Sequence, residues 1–148
     1  MGVVVTWSPD GSMLVAKSPN GFTMLWDVAK GAMPLRVLKG LFSKWAVAWS
    51  PDGAMLCTGA AEDARIWDVA RSAVVHILEG DGDSVTCVAW SCGGVVATGS
   101  KTGTVRLWDA MTGAPVHMLK CEQQRGEVKC VVFSPDGSML AACGKLHH

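Results

Sequence analysis

The chain has 148 residues, 49% of them hydrophobic, and its 13 basic residues balance its 13 acidic ones. That length is enough for one domain with a packed core, since a fold of this size buries about 70% of the surface its unfolded chain exposes. The balanced charge removes the electropositive excess that attracts nucleic acid or anionic membrane, and no run approaches the roughly 18 apolar residues of a bilayer span.

At the N-terminus no basic stretch precedes a long apolar run, so no secretory signal is expected and the chain is placed inside the cell, in cytoplasm or nucleus. The opening Met1-Gly2-Val3-Val4-Val5-Thr6 fits the loose myristoylation pattern, but residues 3–5 are better explained as a first strand. That strand runs into Trp7-Ser8-Pro9-Asp10-Gly11. The same landmark returns as Trp49-Ser50-Pro51-Asp52-Gly53, Trp90-Ser91-Cys92-Gly93-Gly94 and Phe133-Ser134-Pro135-Asp136-Gly137. In phase with it, Trp-Asp recurs at Trp26-Asp27, Trp67-Asp68 and Trp108-Asp109, each pair 41 residues after the last.

Between these landmarks lie short β-branched and apolar runs bounded by turn residues, the pattern of many short antiparallel strands. In the third repeat, strands are expected over 85–90, 95–100, 105–108 and 115–119, with turns at Cys92-Gly93-Gly94 and Lys101-Thr102-Gly103. Pro115 stands at a strand start, where its missing N–H costs least. The first two repeats show the same series. Strands over 127–133 and 139–143 follow in the fourth.

These motifs resemble the WD-repeat β-propeller family, whose blades are four-stranded antiparallel sheets, strands a to d from a central channel outward. The resemblance implies an all-β chain of three complete blades, at about 2–39, 44–79 and 85–119, and a half blade at 127–144, in an incomplete ring. Such ends suit a piece of a longer protein, with His147-His148 as a tag remnant, or an arc that closes by self-association.

Members of the family usually carry Gly-His before strand a and an Asp in the turn between strands b and c, joined with a strand-b Ser or Thr and the strand-c Trp. Here Gly40-Leu41, Gly80-Asp81 and Cys121-Glu122 replace Gly-His, and Asn20 and Thr102 stand at the turn position. The shorter second repeat moves Asp63 out of place. Thr58, Thr98 and the tryptophans remain, so apolar packing of Trp26, Trp67 and Trp108 is expected to hold the blades.

No catalytic constellation is found. His76 and His117 fall on the polar face of outer strands, and no phosphate loop, H-E-x-x-H or G-x-S-x-G motif occurs. The turn Asp81-Gly82-Asp83 lacks the remaining ligands of a calcium loop. Six cysteines (Cys57, Cys87, Cys92, Cys121, Cys130 and Cys143) contain no C-x-x-C pair and mostly fall in expected strands, so neither metal nor disulfide framework is read, and no cofactor.

Function in such a scaffold sits in its loops. The resemblance implies partner-binding candidates on the face shared by the d-to-a and b-to-c connections: Leu41, Phe42, Lys44 and Trp45, with Asp81, Asp83, Glu122 and Arg125. Phe42 and Trp45 leave two readings open, an exposed aromatic anchor or packing between blades. The residues Trp26, Asp27, Trp67, Asp68, Trp108 and Asp109 are structural. The resulting expectation is a non-catalytic scaffold or substrate-recognition module binding proteins or peptides, or alternatively a regulatory segment of a longer multidomain protein.

Overall fold

A computed structural model describes residues 4–17, 23–31, 36–38, 46–80, 82–120 and 126–144. Sheet I comprises β1 (Val4–Trp7), β2 (Met13–Lys17), β3 (Thr23–Asp27) and β4 (Arg36–Leu38). Sheet II comprises β5 (Val47–Trp49), β6 (Met55–Gly59), β7 (Asp63–Asp68) and β8 (Ala73–Glu79). In sheet III, β9 (Val85–Trp90) is followed by β10 (Val95–Ser100), β11 (Thr104–Asp109) and β12 (Pro115–Lys120). Sheet IV is a hairpin of β13 (Val128–Phe133) and β14 (Leu140–Gly144). Each sheet is an antiparallel meander paired in chain order.

The first turn of every sheet follows one plan. Gly11, Gly53, Gly94 and Gly137 adopt φ of 74°, 73°, 81° and 75°, the left-handed region that a Cβ disfavours. The serine three residues earlier closes the turn: Ser8, Ser50, Ser91 and Ser134 hydroxyls accept from the amides of Met13, Met55, Val95 and Met139 at 2.9, 2.9, 3.0 and 3.0 Å. Three of the turns add a carboxylate. Asp10 accepts from Ser8 Oγ and Ser12 N at 2.8 and 2.9 Å, Asp52 from Ser50 Oγ and Ala54 N at 2.6 and 3.0 Å, and Asp136 from Ser134 Oγ and Ser138 N at 2.7 and 3.0 Å. Sheet III has Cys92-Gly93 there and lacks that acceptor.

Strand alternation places one cross-strand set on each leading face: Trp7, Leu14 and Trp26; Trp49, Leu56 and Trp67; Trp90, Val96 and Trp108; Phe133 and Leu140. Each later set packs against the trailing face of the sheet before it. Trp49, Leu56 and Trp67 cluster with Val15 and Leu25; Val96 and Trp108 with Cys57, Ile66 and Leu78; Phe133 and Leu140 with Cys87, Ala97 and Val105. The core is therefore three layers between sheets, and each fully buried aliphatic side chain in it contributes about 1.5–3 kcal/mol. Sheet I has no predecessor among the described residues, and Trp7 is 56% exposed.

The sheets approach closely at two glycines. A Cβ on Gly59 would lie 2.8 Å from Val85 Cγ1, and one on Gly99 would lie 2.5 Å from Cys87 Sγ and 2.7 Å from Val128 Cγ1. The register shift beside Gly99 turns Thr86 toward the next sheet, where its hydroxyl donates to the Val128 carbonyl.

All described strands agree with an all-β chain of propeller-type blades, three of four strands and one of two, and they close no ring. In the third repeat the strands form within one residue of the bounds expected from sequence.

Candidate functional site

The Trp-Asp pairs serve the sheets themselves. Trp67 Nε1 donates to Thr58 Oγ1 at 2.9 Å, and Trp108 Nε1 to Thr98 Oγ1 at 3.0 Å, both buried. The following aspartates cap the turn to the outer strand: Asp27 accepts from Ala29 N at 3.0 Å, Asp68 from Arg71 N at 3.2 Å, and Asp109 from Met111 N at 2.9 Å. Trp26 is half-buried and faces Ala16-containing β2, which offers no hydroxyl in the place of Thr58 and Thr98.

The candidate rim lies where connections between sheets meet the turns between second and third strands. Of its sequence candidates, Leu41, Phe42, Lys44, Trp45, Asp81, Glu122 and Arg125 lie outside the described residues. Asp83 is described, and it is half-buried and engaged. One carboxylate oxygen accepts from Ser84 N at 2.9 Å, the other from Thr102 N at 3.0 Å and from Thr102 Oγ1. Thr102 Oγ1 is 3.3 Å from Ser100 Oγ, which accepts from Thr104 N at 3.1 Å. Burial pushes the Asp83 carboxyl up, but the Thr102 hydroxyl and amide outweigh it and hold the group below the usual carboxylate range.

This is a rearranged form of the network the resemblance implied. The acid sits in the connection before the first strand, and its hydroxyl partner sits in the b-to-c turn, so Asp83 and Thr102 exchange the expected roles. The sequence places Asp83 among the partner-binding candidates, whereas the structure engages its carboxylate within the fold. The signal that pointed elsewhere was Thr102 at the turn position, a hydroxyl that asks for an acceptor.

Beside this network, a cleft between sheets II and III is lined by Glu62, Asp83, Ser100, Arg106 and Trp108, with a volume of about 20 Å³. That is room for about one water molecule. What this rim offers is exposed side chains, Glu62, Lys101 and Thr102, on a frame fixed by the sheets beneath.

The histidines are dispersed. His76 Nε2 donates to the Met111 carbonyl at 2.7 Å, tying β8 to the c-to-d turn of sheet III, while His117 is exposed on β12. Among the described residues no cluster of three His, Cys, Asp or Glu is placed to hold a metal. The five described cysteines are free thiols. Cys57 is fully buried, which pushes its thiol up to about 12.

Four-stranded meanders stacked face to face, each ending its third strand in Trp-Asp, with Trp67 and Trp108 packed on the sheet before, define an arc of β-propeller blades. The chain belongs to the WD domain, G-beta repeat family, which matches residues 33–68, 72–109 and 113–145. Repeats of this family generally mediate protein–protein interaction. None of the curated proteins compared with the chain matches it. The matched units are staggered against the sheets: each begins with the outer strand of one sheet and continues with the first strands of the next.

Proposed function

We propose that the chain is a non-catalytic scaffold or substrate-recognition module that binds other proteins or peptides through its rim connections. One observation carries this reading. The described polar side chains of the repeat motifs are spent on the fold, on turns, on the Trp-to-Thr bonds and on the Asp83 network, which leaves recognition to the connections between the sheets. The segments 41–45, 81–84 and 122–125 are the proposed contact surface, with Phe42 and Trp45 as the aromatic anchors. The place of action in this reading is the cytoplasm or nucleus, which suits free, exposed thiols at Cys92, Cys130 and Cys143.

Two variants test it, Trp45→Lys and Asp83→Ala, each compared with the parent chain in quantitative affinity capture alongside a thermal melt. Trp45→Lys is expected to lose captured partners at an unchanged melting temperature. Asp83→Ala is expected to lower the melting temperature, because Thr102 loses its acceptor. If Trp45→Lys unfolds the chain, the aromatic belongs to the core and the anchor role is overturned.

A further inference from the structure

The strand that opens sheet IV repeats the one that opens sheet III, irregularity included. Its register shifts between Val128 and Cys130, as that of β9 and β10 shifts beside Gly99, and it sets Cys130 directly opposite Cys143 just as Cys87 lies opposite Gly99. In sheet II the same place is held by Ala46 and Gly59, joined by a 2.8 Å bond from Gly59 N to the Ala46 carbonyl. Here the two strands bring their first side-chain carbons together. A Cβ on Gly59 would lie 2.7 Å from Ala46 Cβ, and one on Gly99 would lie 2.5 Å from Cys87 Sγ, so a cysteine at this point of the first strand aims its sulfur across the pair. Sheets II and III meet the crowding with glycine, whereas sheet IV places a second cysteine there.

Directly opposite residues of an antiparallel pair have Cα atoms about 4.5–5.5 Å apart, inside the roughly 4.4–6.8 Å that a disulfide spans. Both thiols are free and exposed. We propose that Cys130 and Cys143 form a thiol–disulfide switch whose oxidant is a small disulfide of the glutathione type. One thiolate attacks a sulfur of glutathione disulfide, which forms a mixed disulfide and releases the first glutathione thiolate. The facing thiolate then attacks the protein sulfur of that mixed disulfide, closes the Cys130–Cys143 bond and releases the second glutathione. Two electrons pass from the protein thiols to the oxidant, and the two protons go to the released glutathiones. Reduced glutathione runs the exchange backwards.

This pair is made by β13 and β14 alone, and it stands independently of the protein-binding reading. The Ser134–Met139 turn already closes one end of the hairpin. A Cys130–Cys143 bond closes the other, so the strands lose the freedom to part or slip. In the reducing compartment proposed above, such a bond forms and breaks with the glutathione balance. The remaining described cysteines lack this arrangement. Cys57 and Cys87 are buried, and burial pushes the Cys87 thiol up, away from the thiolate that exchange requires. Cys92 is exposed, but its sulfur faces Gly137, where an added Cβ would lie 3.2 Å away.

The test equilibrates the whole chain in glutathione buffers of stepped oxidation, alkylates the remaining thiols and digests with trypsin, which releases both cysteines in one peptide, residues 130–145. Oxidising buffer is expected to return that peptide unalkylated and lighter by two hydrogens, at a yield independent of protein concentration. Cys92 in the same sample is expected to be alkylated or to carry one glutathione. Cys143→Ser, at an exposed position, is expected to leave Cys130 with a stable glutathione adduct, and Cys130→Ser to do the same at Cys143. Amide exchange over residues 128–144 is expected to slow about tenfold or more in the oxidised parent chain, with no such slowing in either variant. Stable glutathione adducts on both cysteines of the parent, a bond from either one to another cysteine or a second copy, or equal exchange in the oxidised and reduced chain would each overturn the switch.

Discussion

Trp49 and Trp67 share one leading face of sheet II, joined across the sheet by Leu56, yet meet different polar surroundings. The Trp67 indole donates to Thr58, whereas the buried Trp49 Nε1 has no hydrogen-bond partner among the described residues. Replacing either by phenylalanine removes the same ring volume, so the difference between the two variants isolates the polar term. Trp67→Phe is expected to cost about 1–2 kcal/mol more than Trp49→Phe in denaturant unfolding, because it also leaves the buried Thr58 hydroxyl unpaired. Equal losses would show that apolar packing alone holds this layer. The sequence marks both tryptophans alike as landmarks; only their registers reveal that one ring ends on a hydroxyl and the other does not.

The Ser-x-Asp-Gly turns give the hairpins an acid-sensitive component. In Asp10, amide and hydroxyl donation from Ser12, then from Ser8, holds the carboxyl at about 2; in Asp136 the amide of Ser138, then the hydroxyls of Ser134 and Ser138, does the same. Asp52 is lowered by the Ser50 hydroxyl and the Ala54 amide. A carboxyl whose pKa falls on folding stabilises the folded state fully above its unfolded value, near 3.9, and loses that contribution as pH drops through the folded value. The melting temperature is therefore expected to fall between about pH 4 and pH 2, and replacing Asp10, Asp52 and Asp136 together by asparagine is expected to flatten that slope. Strand order was legible for the same reason that these turns are strong. A serine and a left-handed glycine at fixed spacing mark where each first strand stops, with a carboxylate between them in three of the four, and Trp-Asp marks where each third strand stops. The Asp83 network was not legible, since its members are 19 residues apart, occur in one repeat only, and reverse the arrangement implied by the family.

At the scale of the whole molecule, the arc has two unlike apolar ends. The leading face of sheet I exposes Trp7 and Val5, and the trailing face of sheet IV exposes Val132 at 54%. Trp49, in the place of Trp7 one sheet later, is buried against the sheet before it. Exposed apolar faces of this kind favour association. Light scattering of the chain is expected to show a mass that rises with concentration above the 15.6 kDa of one copy, and Trp7→Lys is expected to return it toward that value. A concentration-independent single-copy mass for the parent chain would show that the ends are not sticky. The stagger between matched units and sheets has another bearing. A duplication of residues 72–109 inserted after Asp109 would bring its own outer strand to finish sheet III and three fresh strands for a new sheet, which the existing β12 would then complete. The matched unit and the folded unit thus differ by one strand, so adding or removing one matched unit would leave no interior sheet unfinished.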